Sequence, residues 1–189
     1  MITVHLLHGF NVTDRGRDTT DRLIPHFRGA GFCVRDHDYG WFGLLQVRFR
    51  NKAVAQDLSK QVYHGDIGVG HSNGCTILAQ AADMGAPFRG LVFINPALEA
   101  ERYVAPQVEW INIYYNAGDV PVRVAKYLWH HPWGNMGQVG FSGEDDRVHN
   151  VDCSETVNGH SDIFTKLEQW GPAIVNSVVA KMPKRRATD

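Results

Sequence analysis

Residues 67–78 read Ile67-Gly68-Val69-Gly70-His71-Ser72-Asn73-Gly74-Cys75-Thr76-Ile77-Leu78. A short apolar run enters this stretch. A small, apolar helical pattern over 75–84 leaves it and stops at Gly85. Between them stands Gly-x-Ser-x-Gly, from Gly70 to Gly74. So tight a turn from strand to helix forces strained backbone angles on its central residue, and flanking glycines give it room. The serine hydroxyl is then thrust above the edge of a sheet. A glycine-rich turn with an incidental serine has the same letters, so the rest of the chain must decide. Cys75, opening the helical run, reads as a small residue packed on the sheet rather than a second nucleophile.

Outward from this turn, short apolar runs alternate with helical patterns. Strands are expected at 2–7, 32–35, 67–70, 90–94 and 110–115, with a weaker one around 149–153. Helices are expected at 19–28, 51–63, 75–84, 120–129 and 164–182, the last broken at Gly171-Pro172. Such alternation predicts an α/β protein: a three-layer sandwich of about six mainly parallel strands flanked by helices. Sheets of this kind carry their chemistry in loops at the carboxyl ends of the strands. The unusual residues of this chain fall in those loops.

A serine hydroxyl is a weak nucleophile and needs a base and an orienting acid. After a strand–turn–helix serine the expected order is acid, then histidine. Asp119 lies just past the strand at 110–115, in Asn116-Ala117-Gly118-Asp119-Val120-Pro121. The same aspartate could cap the following helix. Its competitors Glu144, Asp145 and Asp146 sit in a polar segment that reads as exposed. His160 stands in Asn158-Gly159-His160-Ser161-Asp162, before the last helix, where Ser161 or Asp162 could cap that helix. His149 is the rival base, but its strand position points to a structural role. The first strand ends in His8-Gly9-Phe10. The backbone N–H groups of Phe10 and Asn73 are placed to hold an oxyanion, with His8 reading as a loop-fixing hydrogen-bond donor.

His-Gly-Phe, Gly-His-Ser-Asn-Gly, Asn-Ala-Gly-Asp-Val-Pro and Gly-His-Ser, in that order, resemble the α/β-hydrolase superfamily over roughly residues 2 to 180. The resemblance implies the α/β-hydrolase fold and a Ser72–Asp119–His160 triad. It also implies a cofactor-free serine hydrolase of the carboxylesterase or lipase type. A thioesterase, an amidase or peptidase, and a catalytically silent binding protein remain alternatives. The first strand corresponds to the third of the superfamily, so the usual first two are expected to be absent. Only about a dozen residues, 98–109, fill the gap where many relatives insert a cap, so no cap domain is expected. Aromatic segments after the second strand (Trp41, Phe42) and after the acid (Trp129, Trp133) are candidate pocket walls.

Composition sets limits on these readings. The chain has 189 residues, 43% of them hydrophobic, and a net charge of −1. That suits one packed domain over 1–182, with a basic, mobile tail over 183–189. Balanced charge argues against a nucleic-acid partner, and the resemblance implies a small-molecule or acylated substrate. Three scattered cysteines give neither a disulfide framework nor a zinc knuckle. His130-His131 are adjacent, and adjacent residues rarely ligate one ion, so no metal is expected. Without a signal peptide or a long apolar span, a cytoplasmic location and no stable membrane insertion are expected.

Overall fold

The computed structural model describes residues 1–10, 14–40, 46–120 and 133–183. Among them, six strands form one sheet: β1 (Thr3–Leu7), β2 (Cys33–His37), β3 (Ile67–His71), β4 (Gly90–Ile94), β5 (Trp110–Tyr115) and β6 (Val148–Asp152). Their order is β2-β1-β3-β4-β5-β6 and every pairing is parallel. The helices are α1 (Ile24–Gly29), α2 (Val47–Ser59), α3 (Asn73–Asp83), α4 (Met136–Val139) and α5 (Leu167–Val179). Short 3-10 turns at Thr20–Leu23 and Asp162–Lys166 lead into α1 and α5.

Side chains alternate across the sheet, as a period of two requires. In β4, Leu91 and Phe93 join one core while Val92 and Ile94 join the other. The first core takes Leu58 of α2 with Ile77 and Leu78 of α3. The second takes Phe27 of α1 with Ile174 and Val178 of α5. Each such side chain, fully buried, stabilises the sandwich by about 1.5–3 kcal/mol relative to exposure. Covered on both faces, β3 and β4 are buried at every position. They therefore read as continuous apolar runs. β2 and β6 are the sheet edges and are mostly exposed or half-buried.

β1 pairs with β2 on one side and β3 on the other. The chain reverses its course across the sheet there, and a crevice opens at the carboxyl ends of the strands at such a point. Between β4 and β5, residues 95–109 carry neither helix nor strand, so no cap stands in that connection.

Two expected helices differ from those observed. The one expected at 51–63 runs over Val47–Ser59 instead, burying Val47, Asn51, Ala55 and Leu58. Val62 is still buried, but from the turn beyond the helix. Gly171-Pro172 does not break α5. Pro172 stands inside the helix on its exposed side, and the bond it cannot donate belongs to the carbonyl of exposed Glu168. Gly171 faces inward, where any Cβ would lie 2.6 Å from the His26 ring. Most of the helix expected at 120–129, the pocket candidates Trp41, Phe42 and Trp129, and residues 184–189 of the tail lie outside the described residues. No helix among the described residues is long and apolar enough to cross a membrane.

Candidate active site

Ser72 caps the N-terminus of α3 with φ 53° and ψ −119°. A non-glycine residue rarely takes a positive φ, and this costs on the order of 1–3 kcal/mol. Three backbone hydrogen bonds hold it. The Ser72 N–H donates to the Ile94 carbonyl at 3.0 Å, while its own carbonyl accepts from Cys75 at 3.1 Å and Ala97 at 3.2 Å. Close packing explains both flanking glycines. A Cβ on Gly74 would lie 2.3 Å from the Leu7 carbonyl oxygen, and one on Gly70 would lie 2.8 Å from the Cys75 nitrogen. The turn of β3 into α3 is thus locked against the end of β1.

Asp119 and His160 come together from segments 41 residues apart. His160 Nδ1 lies 2.9 Å from each carboxylate oxygen of Asp119. A carboxylate only accepts, so Nδ1 carries a proton, and in the neutral imidazole Nε2 is then the nitrogen with the lone pair. Asp119 is 0% exposed, Ser72 8%, and the His160 side chain 20%. The acid is sealed and the serine nearly so, while the imidazole is partly exposed. Among the described residues, no hydrogen bond joins the Ser72 hydroxyl to His160. The link between them runs through His71, whose Nε2–H donates to the His160 carbonyl at 2.9 Å. The loop around His160 is closed by Asp162, whose carboxylate accepts the Asn158 N–H at 3.2 Å. Ser161 holds the cap position of the following turn without a side-chain bond.

Asn73 is the first residue of α3, so its N–H has no partner within the helix. The β1 loop presses against the same turn, since a Cβ on Gly9 would lie 3.2 Å from Ser72 Cβ. Phe10 follows, its ring 5.1 Å from Trp133. The side chain of Asn73 has a part that the sequence did not suggest. It is fully buried and exchanges two hydrogen bonds with Asn51, at 2.7 and 2.9 Å. Trp133, expected to wall a pocket, is only 6% exposed and donates its indole N–H to Asn73 Oδ1 at 2.8 Å. It acts as a buried strut under the turn because an indole N–H taken out of water needs an acceptor. Tyr39 completes this layer, its hydroxyl 2.7 Å from the carbonyl oxygens of both His8 and Gly9.

The competing residues have other surroundings. His149 is exposed on β6. Asp145 pairs with Arg147 at 2.6 Å, and the same guanidinium ties down the carbonyls of Val104, Ala105 and Val108. His8 is buried, stacked on Tyr39 at 4.2 Å, with Nδ1 2.8 Å from the Gly9 carbonyl oxygen. His37 and His5 face each other at 2.8 Å, and His5 reaches Asp66 at 3.1 Å. Burial pushes His37 down to about 4, so its imidazole is neutral near pH 7 and braces the sheet edge.

No family model matches the chain, and no curated protein is found as a relative. Solved structures do match it along nearly its whole length. Alpha/beta hydrolase domain-containing protein 10 from mouse superposes with a TM-score of 0.64 at 13% identity, over 96% of this chain and 90% of that one. The Pyrococcus furiosus esterase gives 0.63 at 12% identity, over 95% and 82%. The Paleococcus ferrophilus monoacylglycerol lipase gives 0.60 at 14% identity, over 94% of each chain. The fold is that of the α/β-hydrolase superfamily.

Proposed function

We propose that this protein is a serine hydrolase that cleaves a carboxylic ester through an acyl-enzyme. The observation that carries the reading is the strained Ser72, pinned at the carboxyl end of β3 next to His71, which bonds the loop of the Asp119–His160 pair. Ser72 Oγ attacks the ester carbonyl carbon while its proton passes to His160 Nε2. Asp119 holds the imidazole and stabilises the imidazolium. The N–H groups of Phe10 and Asn73 bind the oxyanion of the tetrahedral intermediate. Collapse expels the alcohol, which takes the proton from Nε2. Water, deprotonated by the same nitrogen, then releases the acid and restores Ser72. The Ser72–His160 hydrogen bond closes in the substrate complex, as catalytic contacts of this kind do. No cofactor enters any step. Two structurally similar proteins are an esterase and a monoacylglycerol lipase by name, which supports the ester reading.

Labelling with a fluorophosphonate probe tests this. Wild-type protein should label at Ser72, and Ser72→Ala and His160→Ala should not. A folded wild type that takes no label overturns the reading.

A further inference from the structure

Three side chains from three adjacent strand ends converge on two consecutive carbonyls of the His160 loop. His71 is the last residue of β3, Asn95 follows β4, and Asn116 follows β5. Asn95 Nδ2 lies 3.0 Å from the His160 oxygen and 3.2 Å from that of Gly159. Asn116 Nδ2 lies 3.2 Å from the Gly159 oxygen. His71 Nε2 lies 2.9 Å from the His160 oxygen. A carbonyl oxygen only accepts, so each of the three side chains must present an N–H. This fixes both amide orientations and the His71 tautomer. His71 is buried, tilted against the His160 ring at 4.8 Å and edge-on to Phe164 at 5.0 Å. Asn95 itself sits at φ 44°. Two neighbouring residues of an irregular loop are therefore held from the sheet, in addition to the local bond from the Asp162 N–H to the Gly159 carbonyl at 3.4 Å.

We infer that His71, Asn95 and Asn116 form a clamp of positioning residues that sets the His160 imidazole between Asp119 and Ser72. The clamp touches neither the imidazole nitrogens nor the acyl carbon in this scheme. It acts through the loop backbone, and its catalytic effect rests on the hydrolase reading above. A base displaced by about an ångström loses on the order of a hundredfold in rate. Substrate affinity does not depend on it. Residue 71 is the first variable position of Gly-x-Ser-x-Gly, so its side chain would couple the base loop to the serine turn.

The test uses the full chain and p-nitrophenyl acetate. His71→Phe keeps the ring and removes the donor, and His71→Gln restores an N–H near the position of Nε2. His71→Phe should lower kcat about tenfold to a hundredfold with KM within about threefold of wild type, and His71→Gln should recover most of the loss. Asn116→Asp, nearly isosteric but without the donor, should behave like His71→Phe. It decides the matter if His71→Phe does not fold. Unchanged kcat in folded variants overturns the clamp, as does a loss that appears in KM alone or that His71→Gln fails to restore. A second readout is the downfield NMR resonance of the His160 Nδ1 proton facing Asp119. It should be sharp in wild type and broadened in His71→Phe and Asn116→Asp, and an unaltered resonance counts against the clamp. This signal needs no turnover. If the wild type neither labels nor hydrolyses, the functional reading fails, while the resonance still judges the clamp.

Discussion

His160 Nδ1 stands equidistant, at 2.9 Å, from the two carboxylate oxygens of Asp119, which is wholly buried. The contact requires a proton on Nδ1, so in the neutral imidazole Nε2 is the nitrogen free to accept one. Asp119→Asn keeps the shape but offers an amide N–H to the imidazole, which favours the wrong tautomer. In the proposed mechanism this variant should lose roughly four powers of ten in kcat while KM changes little. Steady-state kinetics on an activated ester checks it. A loss below tenfold would mean that Asp119 does not orient the base.

The serine turn gives a prediction about folding rather than chemistry. A methyl group on Gly74 would stand 2.3 Å from one backbone carbonyl oxygen and 2.6 Å from another, those of Leu7 and His8. Neither is a side chain that can rotate away, because Leu7 ends β1 and His8 follows it directly. Gly74→Ala should destabilise the protein by more than about 3 kcal/mol. Thermal unfolding followed by circular dichroism reads this directly. A melting temperature within a few degrees of wild type would show that α3 can slide off β1.

How much of this was legible in the sequence depended on what each residue packs against. The central strands were plain because β3 and β4 are covered on both faces. β6 was faint because it is an edge strand that leaves His149 and Asn150 exposed. Asp119 and His160 were legible as candidates because each closes a glycine-containing turn after a strand, and the structure brings the two together. The buried Asn51–Asn73 pair was not found. Asparagine reads as a solvent-facing residue unless the helix face it lies on is followed, and Asn51 lies four residues from both Val47 and Ala55 on the buried face of α2. His71, Asn95 and Asn116 left a signal of the same kind, a polar residue closing each of three neighbouring apolar strands. Only the fold reveals that all three point at one loop.

The Asn51–Asn73–Trp133 contacts make a second stability prediction. Asn51→Leu fills similar space but removes both Asn51 bonds from the Asn73 amide, leaving its Oδ1 to Trp133 and its Nδ2 to the Tyr39 hydroxyl at 3.5 Å. The cost should be on the order of 1–3 kcal/mol. Trp133→Phe removes a single donor and should cost about 1 kcal/mol from the lost hydrogen bond, plus some packing. Urea unfolding at neutral pH separates the two. If the Asn73 N–H holds the oxyanion, both variants should also lower kcat more than they alter KM. Wild-type stability in both would remove the case for this layer as the support of the serine turn.

His71 predicts how the fold responds to acid. Burial, with the His160 imidazole close by, pushes it down to about 3, against about 6.5 in an unfolded chain. Between those values the unfolded state binds a proton that the folded state refuses. Stability from this residue is therefore complete above pH 6.5 and drains away as the pH falls toward 3, by up to about 1.4 kcal/mol per pH unit. His37, held down to about 4 by burial, adds to the slope in the same direction. So does Asp66, lowered by hydrogen bonds from the Tyr63 and Thr3 backbone and from His5 against its own burial, because a depressed carboxyl also loses its contribution as pH falls through its folded value. His71→Gln cannot take up the proton. Its unfolding free energy should fall less steeply than that of wild type between pH 6 and 4, and the two curves should run parallel above pH 7. Urea titrations across that range test the sign. Parallel curves at low pH as well would mean that His71 is charged in the folded protein, and its Nδ1 would then need an acceptor in the wall formed by Gly9.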